Sequence, residues 1–290
     1  MTEGWEPVKA AVTVLVDNTV MELIPDSGLV ARLSRPQSSF LSEHGFSALI
    51  ESGNKKILVD TGATGVAVTH NLRLLGLGPE DIDVVVLSHG HNDHSGGLSL
   101  FPGKIVAHPD AFLKRYLVTQ AGTSFDLTCP GYEKFKGRVQ LEKGPVMLAP
   151  GVWTTGQVER THRWEELDLF RIRRESGMEQ DRILDDQGVV ISCRKGLAII
   201  AGCSHAGIIN TIEQAIRISG INEVYCVLGG FHLIGAAGES KIERTISELK
   251  RLNVRKVVPI HCTGFEAIKR MSVEMPGEFE YGTAGCKIEF

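Results

Sequence analysis

The stretch VVVLSHGHNDHSGGL, Val84 to Leu98, places three histidines and an aspartate within six positions directly after a run of β-branched residues. Consecutive valines read as a buried strand, and Gly90, Gly96 and Gly97 allow the chain to turn tightly after it. Where such a strand runs into a loop, His89 and His91 sit two apart and point the same way. Asp93 and His94 then turn toward a neighbouring position. Imidazole and carboxylate together suit borderline-soft divalent cations held at about 2.0 to 2.2 Å. One loop of this kind feeds two metals, and HxHxDH is expected by chance in only about one in a thousand chains of this composition.

Outward from the motif, strands are predicted at Ala10 to Asp17, Phe46 to Ser52, Lys55 to Gly62 and Asp83 to Gly90, with a helix from Gly65 to Gly76. The segment from Asn18 to Glu43, broken by Pro25, Gly28 and Pro36, reads as a long excursion. KIVAHP reads as a strand entering a helix after Pro109. The polar, irregular stretch from Val118 to Gly144 has the character of a lid. The second half repeats the rhythm. GVVISC and GLAIIAGCSH form a hairpin through Arg194 to Gly196, followed by a helix from Ile208 to Ile218, the strand EVYCVLGG, a helix from Glu239 to Leu252 and the strand RKVVPIHC. Hairpins mixed with strand–helix units predict an α/β layered sandwich with helices on both outer faces.

Composition narrows the function. The chain has 290 residues, 42% hydrophobic and 23% charged, which is enough for one large domain spanning residues 1–290. Thirty-one basic against 35 acidic residues give a net charge of −4, with no basic stripe to neutralise a phosphate backbone, so nucleic acid is not an expected partner. No apolar run approaches the ~20 residues of a membrane span, and the N-terminus lacks a signal-peptide pattern, which predicts a cytoplasmic protein without a membrane partner. The six cysteines lie far apart with no CxxC pair, arguing for buried thiols over disulfides or a cysteine-only zinc site.

HxHxDHxGG after an apolar strand, preceded by ILVDTG, resembles the metallo-β-lactamase superfamily, whose fold is a four-layer αβ/βα sandwich with the metals at one edge of the two sheets. EHGFSALIE, LSHGHNDHSGGL, HPDAF, GCSHAGIINT, LGGFHL and HCTGFEA together resemble the branch of dihydropterin ribofuranosylaminobenzene phosphate synthase-like proteins, related to methanopterin biosynthesis. The match runs from about Glu43 to Ala267.

The resemblance implies a metal-ligand set of His89, His91, Asp93, His94, His205 and His261, the last two following strand ends far along the chain. The superfamily usually places a bridging aspartate after a glycine near the strand end at 202; this chain has Cys203 there. Cys203 is read either as a thiolate ligand or as a buried thiol past which His205 reaches, the second being preferred. Between His94 and His205 only His108 and His162 remain as further imidazoles, and His162 is the weaker ligand candidate. Asp60 is expected to orient a metal-bound histidine from behind. His232 is expected to polarise or protonate a substrate oxygen, Arg160 to meet an anionic substrate, and His44 to stand near the site.

Two divalent cations, zinc first and manganese or iron as alternatives, imply a hydrolase. A shared hydroxide would attack an ester, thioester or phosphodiester of a small, anionic substrate, with Asp93, His232 and Arg160 as catalytic groups. The alternatives are a condensing enzyme of the pterin branch, in which the metals bind pyrophosphate as leaving group, and an iron-dependent oxidoreductase.

Overall fold

The valine run before the histidine motif is a short buried strand, Val84–Val86, in the middle of an eight-stranded sheet. The computed structural model describes residues 4–119, 121–166, 169–174, 176–234 and 238–290. In spatial order the first sheet is Val30–Arg32, Cys286–Glu289, Ala10–Val16, Ser47–Ser52, Lys55–Val59, Val84–Val86, Lys104–Ala107 and Val139–Leu141. The second is six-stranded: Met147–Ala149, Val152–Thr154, Gly188–Cys193, Gly196–Ala201, Val224–Gly230 and Lys256–Ile260. Pro259, which has no N–H to donate, sits in the edge strand of this sheet.

Strand periodicity sorts the apolar side chains into layers. Val12, Val14, Ile50, Ile57 and Val59 meet Val189, Ile191, Ile200, Leu228 and Val258 between the two sheets. The alternate residues Leu15, Leu49, Leu58 and Val85 face the helix Val66–Leu74. Those of the second sheet, Ile199, Val227 and Val257, face the helices Ile208–Ser219, Gly238–Arg251 and Phe265–Glu274. Helix, sheet, sheet, helix is the expected four-layer order.

Two features positioning the site differ from expectation. After Pro109 the chain makes only a 3-10 turn, Pro109–Phe112, and then a strand, Lys114–Val118. The segment after Val118 contributes Ser124–Asp126 and Val139–Leu141, so it is not wholly irregular. Lys114–Val118 and Ser124–Asp126 join Phe170–Arg174 and Gly177–Gln180 in a third, four-stranded sheet that the periodicity did not announce. This sheet is short and largely solvent-facing, so its apolar signal is weak. The glycines of the motif also act differently: Gly90 and Gly96 have ordinary negative φ, and a Cβ at Gly90 would overlap the Ala111 carbonyl. Close backbone approach, not a special dihedral angle, requires glycine at 90.

Beneath the motif lies a buried ionic network. Arg115, the largest fully buried side chain, forks onto Asp185 at 2.8 and 2.5 Å and lies 3.1 Å from Asp181. Asp185 also accepts the Gly90 N–H at 2.7 Å, tying the network to the turn between His89 and His91. Asp185→Ala removes the main countercharge of a buried guanidinium, and a loss of about 3 kcal/mol is expected in urea unfolding of the metal-free protein. A loss below about 1 kcal/mol would show the network to be dispensable.

Candidate metal centre

Parallel strands bring the candidate ligands together. Lys55–Val59 and Val84–Val86 run parallel in the first sheet, and their carboxyl ends lead to Asp60, Ser88 and His89. Gly196–Ala201, Val224–Gly230 and Lys256–Ile260 run parallel in the second, leading to Cys203 and His205, His232, and His261. Peptide and side-chain groups beyond the carboxyl ends of parallel strands are free to converge on a ligand. The two sheets face each other, so both sets meet at one rim.

The donor atoms fall into two groups. His89 Nε2 lies 3.0 Å from His91 Nδ1 and 3.2 Å from His205 Nε2. Asp93 Oδ2 lies 3.6 Å from both His94 Nε2 and His261 Nε2. In each group the three donor atoms lie within 4.8 Å of one another. Tetrahedral ligands at about 2.0 to 2.1 Å from a cation stand about 3.3 Å apart, so both groups match the spacing a metal imposes. His94 joins them, its ring centroid 4.2 Å from His89 and 5.0 Å from His261. His261 Nε2 is buried without a hydrogen-bond partner, as a nitrogen reserved for a cation is.

One carboxylate fixes the lone pairs. Asp60 Oδ2 accepts from His94 Nδ1 at 2.7 Å and from Ser88 Oγ at 2.6 Å, while Ser88 Oγ lies 3.0 Å from His89 Nδ1. With both Nδ1 atoms so engaged, the Nε2 lone pairs of His94 and His89 face the two groups. Asn18 Oδ1 does the same for His261 Nδ1 at 3.1 Å, and Asp17 Oδ1 accepts the His261 N–H at 2.8 Å. Asp60, Ser204, His232 and His261 all have positive φ, between 46° and 58°, although none is glycine. Such conformations cost on the order of 1–3 kcal/mol each and cluster where function demands them.

The expected ligands His89, His91, Asp93, His94, His205 and His261 converge in these groups, together with neighbours that no sequence motif marks. Ser88, directly before the motif, links Asp60 to His89 and carries no sequence signal of that role. The Asp185–Asp186 pair carries none either: Asp186 Oδ2 accepts the Ala206 N–H at 2.8 Å, next to His205, as Asp185 does for Gly90. Phe170, from the third sheet, walls the first group, with ring centroids 5.1 Å from His91 and 5.0 Å from His205. His232 stands 4.3 Å from His205 by ring centroid, and His44, largely exposed, has Nε2 3.4 Å from Asp93 Oδ2. Arg160 donates to the carbonyls of Arg182 and Ile183. His162 pairs with Glu213 and His108 with Gln157, both away from the donor groups.

Cys203 is placed between the groups, not behind them. Its Sγ lies 3.1 Å from His94 Nε2, and it shares 4.8 Å clusters with His89 and His94, with His205 and His232, and with His261 and Cys262. All six cysteines are free and buried.

Electrostatics separate the two groups. Burial and neighbouring imidazoles push His89, His91, His205 and His261 well below the ordinary histidine value, leaving them neutral. Burial also opposes charge on His94, but Asp93 and Asp60 outweigh it and raise His94 to about 9. Burial likewise raises the Cys203 thiol.

The family model of the metallo-β-lactamase superfamily matches residues 43–117. The chain belongs to the metallo-β-lactamase superfamily. Within it, the chain is 38% identical over 273 residues to the 7,8-dihydropterin-6-methyl-4-(β-D-ribofuranosyl)-aminobenzene-5′-phosphate synthase of Methanocaldococcus jannaschii, covering 87% of this chain and 92% of that protein. A second protein of the same organism, of uncharacterised function, is 34% identical over 94% of this chain and 98% of its own length. A crystal structure of a metal-dependent hydrolase of the β-lactamase superfamily superposes with a TM-score of 0.78 at 25% identity, over 97% of this chain and 99% of that one. The family and four-layer fold are therefore as the motif implied. Among the described residues, no helix is long and apolar enough to cross a membrane.

Elemental analysis of the purified chain should give about two divalent metals, and His261→Ala about one. In Cys203→Ser, where no thiol proton is released, a metal must still displace the His94 proton below about pH 9, so affinity at the Asp93–His94–His261 group should climb about tenfold per pH unit from 7 toward 9. The His89–His91–His205 group should show no such slope above pH 7; equal slopes in competition titrations would contradict this assignment. In cobalt-substituted protein a thiolate ligand gives a near-ultraviolet charge-transfer band. Cys203→Ser should abolish it, and a band unchanged in that variant would make Cys203 a bystander.

Proposed function

We propose that this chain is a metal-dependent synthase that joins a pterin-methyl pyrophosphate to an aminobenzene bearing a ribosyl phosphate. The observation that carries the reading is the 38% identity to the named synthase over nearly the full length of both chains. In the reaction, the amine nitrogen bonds to the methylene carbon and the carbon–oxygen bond to pyrophosphate breaks. Pyrophosphate leaves with the electron pair, and the amine loses a proton.

The donor chemistry supports a polyanionic leaving group. Five imidazoles, neutral once metal is bound, one carboxylate and one thiolate would together carry fewer negative charges than two bound dications carry positive ones, leaving net positive charge. Such cations would neutralise the pyrophosphate oxygens and ease their departure. The chain's own groups supply the rest. His232, beside His205 with Nδ1 buried and unpartnered, is positioned to hydrogen-bond the departing phosphate. His44, at the open side of Asp93, is positioned to take the amine proton. Phe170 covers the His91 and His205 rings and keeps water from the methylene carbon. Arg160, engaged by the Arg182 and Ile183 carbonyls, is assigned to hold that loop and not the substrate.

A second reading, hydrolysis of an ester, thioester or phosphodiester, is favoured by the likeness to the metal-dependent hydrolase structure. One assay separates the two. Metal-loaded protein given both substrates should release pyrophosphate in step with the coupled pterin–arylamine product, and His232→Ala should slow turnover at least tenfold with metal content unchanged. Pyrophosphate or ester cleavage that proceeds without the arylamine would instead support hydrolysis.

A further inference from the structure

Beside His261, away from Phe170, opens a cavity of about 600 Å³. Its outer wall is one face of the helix Phe265–Glu274, whose residues Phe265, Ile268, Lys269 and Ser272 recur at the i, i+3, i+4, i+7 spacing. The opposite face of this helix, Ala267 and Met271, is already packed in the core. The cavity face is mixed, apolar at Phe265 and Ile268 and polar at Lys269 and Ser272, and among the described residues no element packs on Phe265, which is 75% exposed. Ile234, Phe279 and Tyr281 close the other side. At about 1.5 Å per residue, the helix leads roughly 10 Å away from His261 between Phe265 and Ser272.

The polar groups at the inner end are already committed. Asp17 accepts from His261 N–H through Oδ1 and from Thr19 through Oδ2. Asn18 Oδ1 faces Gly45 N and His261 Nδ1, and its amide donates toward the His261 carbonyl. A pterin buried there would leave most of its edge donors and acceptors unpaired, each at a cost of about 1–3 kcal/mol. A benzene ring carries no such burden and stacks on aromatic walls. At the outer end, Lys269 is largely exposed, and its 3.8 Å contact with Glu266 across an exposed turn is weak, so its ammonium is available to an anion.

Resting on the synthase reading, we propose that this cavity is the acceptor subsite. The aminobenzene ring lies between Phe265 and Tyr281 with its amine toward His44 and the metal centre, and the ribosyl phosphate reaches Lys269, the Ser272 hydroxyl being already committed to the Lys269 carbonyl. The pterin then lies outside this cavity, on the Phe170 side.

Titration calorimetry of the full, metal-loaded chain tests the assignment with three probes: the aminobenzene ribosyl phosphate, its dephosphorylated form, and the pterin pyrophosphate. Ile268→Trp fills the cavity and Lys269→Glu reverses charge at its exposed rim, where folding is not at risk. Both variants should raise the Kd of the aminobenzene ribosyl phosphate at least about tenfold and leave the pterin pyrophosphate within twofold. Lys269→Glu should not affect the dephosphorylated probe. Loss of pterin binding in Ile268→Trp, unchanged aminobenzene binding in both variants, or no aminobenzene binding to the parent chain would each overturn the subsite. The two readings fail separately: condensation with an unaltered aminobenzene KM in both variants removes the subsite and keeps the synthase, whereas variant-sensitive aminobenzene binding without condensation does the reverse.

Discussion

The Asp60 carboxylate holds the candidate centre in register. It sits at the end of Lys55–Val59 in a left-handed conformation, fully buried, and contacts His94 directly and His89 through the Ser88 hydroxyl. Its other oxygen accepts the Ser88 N–H at 2.7 Å, which fixes the backbone from which the motif departs. Without it, the imidazoles would choose tautomers independently, and two donor groups sharing one wall would lose their common orientation. A single buried acceptor thus serves both groups.

Supporting that carboxylate is a scaffold that spends buried polarity generously. Asp185 and Asp186 reach from the second sheet's side to Gly90 and Ala206, one beside each imidazole loop, while Gln187 Nε2 donates to the Leu87 carbonyl at 2.9 Å. Burial raises Asp186 to about 6, an effect that the Ala206 N–H and the Arg160 charge only partly offset. The third sheet adds a lateral brace: Thr128 bridges His91 and the Leu127 carbonyl accepts the Asn92 N–H at 2.9 Å. Rigid support of this kind keeps donor atoms close despite their mutual repulsion, so that cation binding needs little reorganisation.

Cys203 in place of the bridging aspartate changes the character of the centre. A thiol raised by burial gives up its proton less readily than a carboxylic acid, and a soft sulfur between the groups suits polarisable cations. The Cys203 Sγ is buried and stands 3.1 Å from His94 Nε2, among the donor atoms of both groups. A thiolate there would carry the same single negative charge as the aspartate it replaces, so the change is one of softness and not of charge.

Much was legible in the sequence by itself. HxHxDH after a valine run, the apolar strand ends before Cys203, His232 and His261, and the hairpin from Gly188–Cys193 to Gly196–Ala201 all follow from short-range patterns, since ligand spacing and strand period are local properties. The strands of the third sheet escaped because they are short and exposed, and Ser88, Asp185 and Phe170 because nothing local distinguishes a serine, aspartate or phenylalanine that serves a site from one that does not. Only the folding of two sheets face to face decided which donors share a group, where Cys203 lies, and which apolar helix face opens beside His261. Those relations depend on contacts between residues up to 244 positions apart, as from Asp17 to His261, and such contacts are set by packing, not by sequence neighbours.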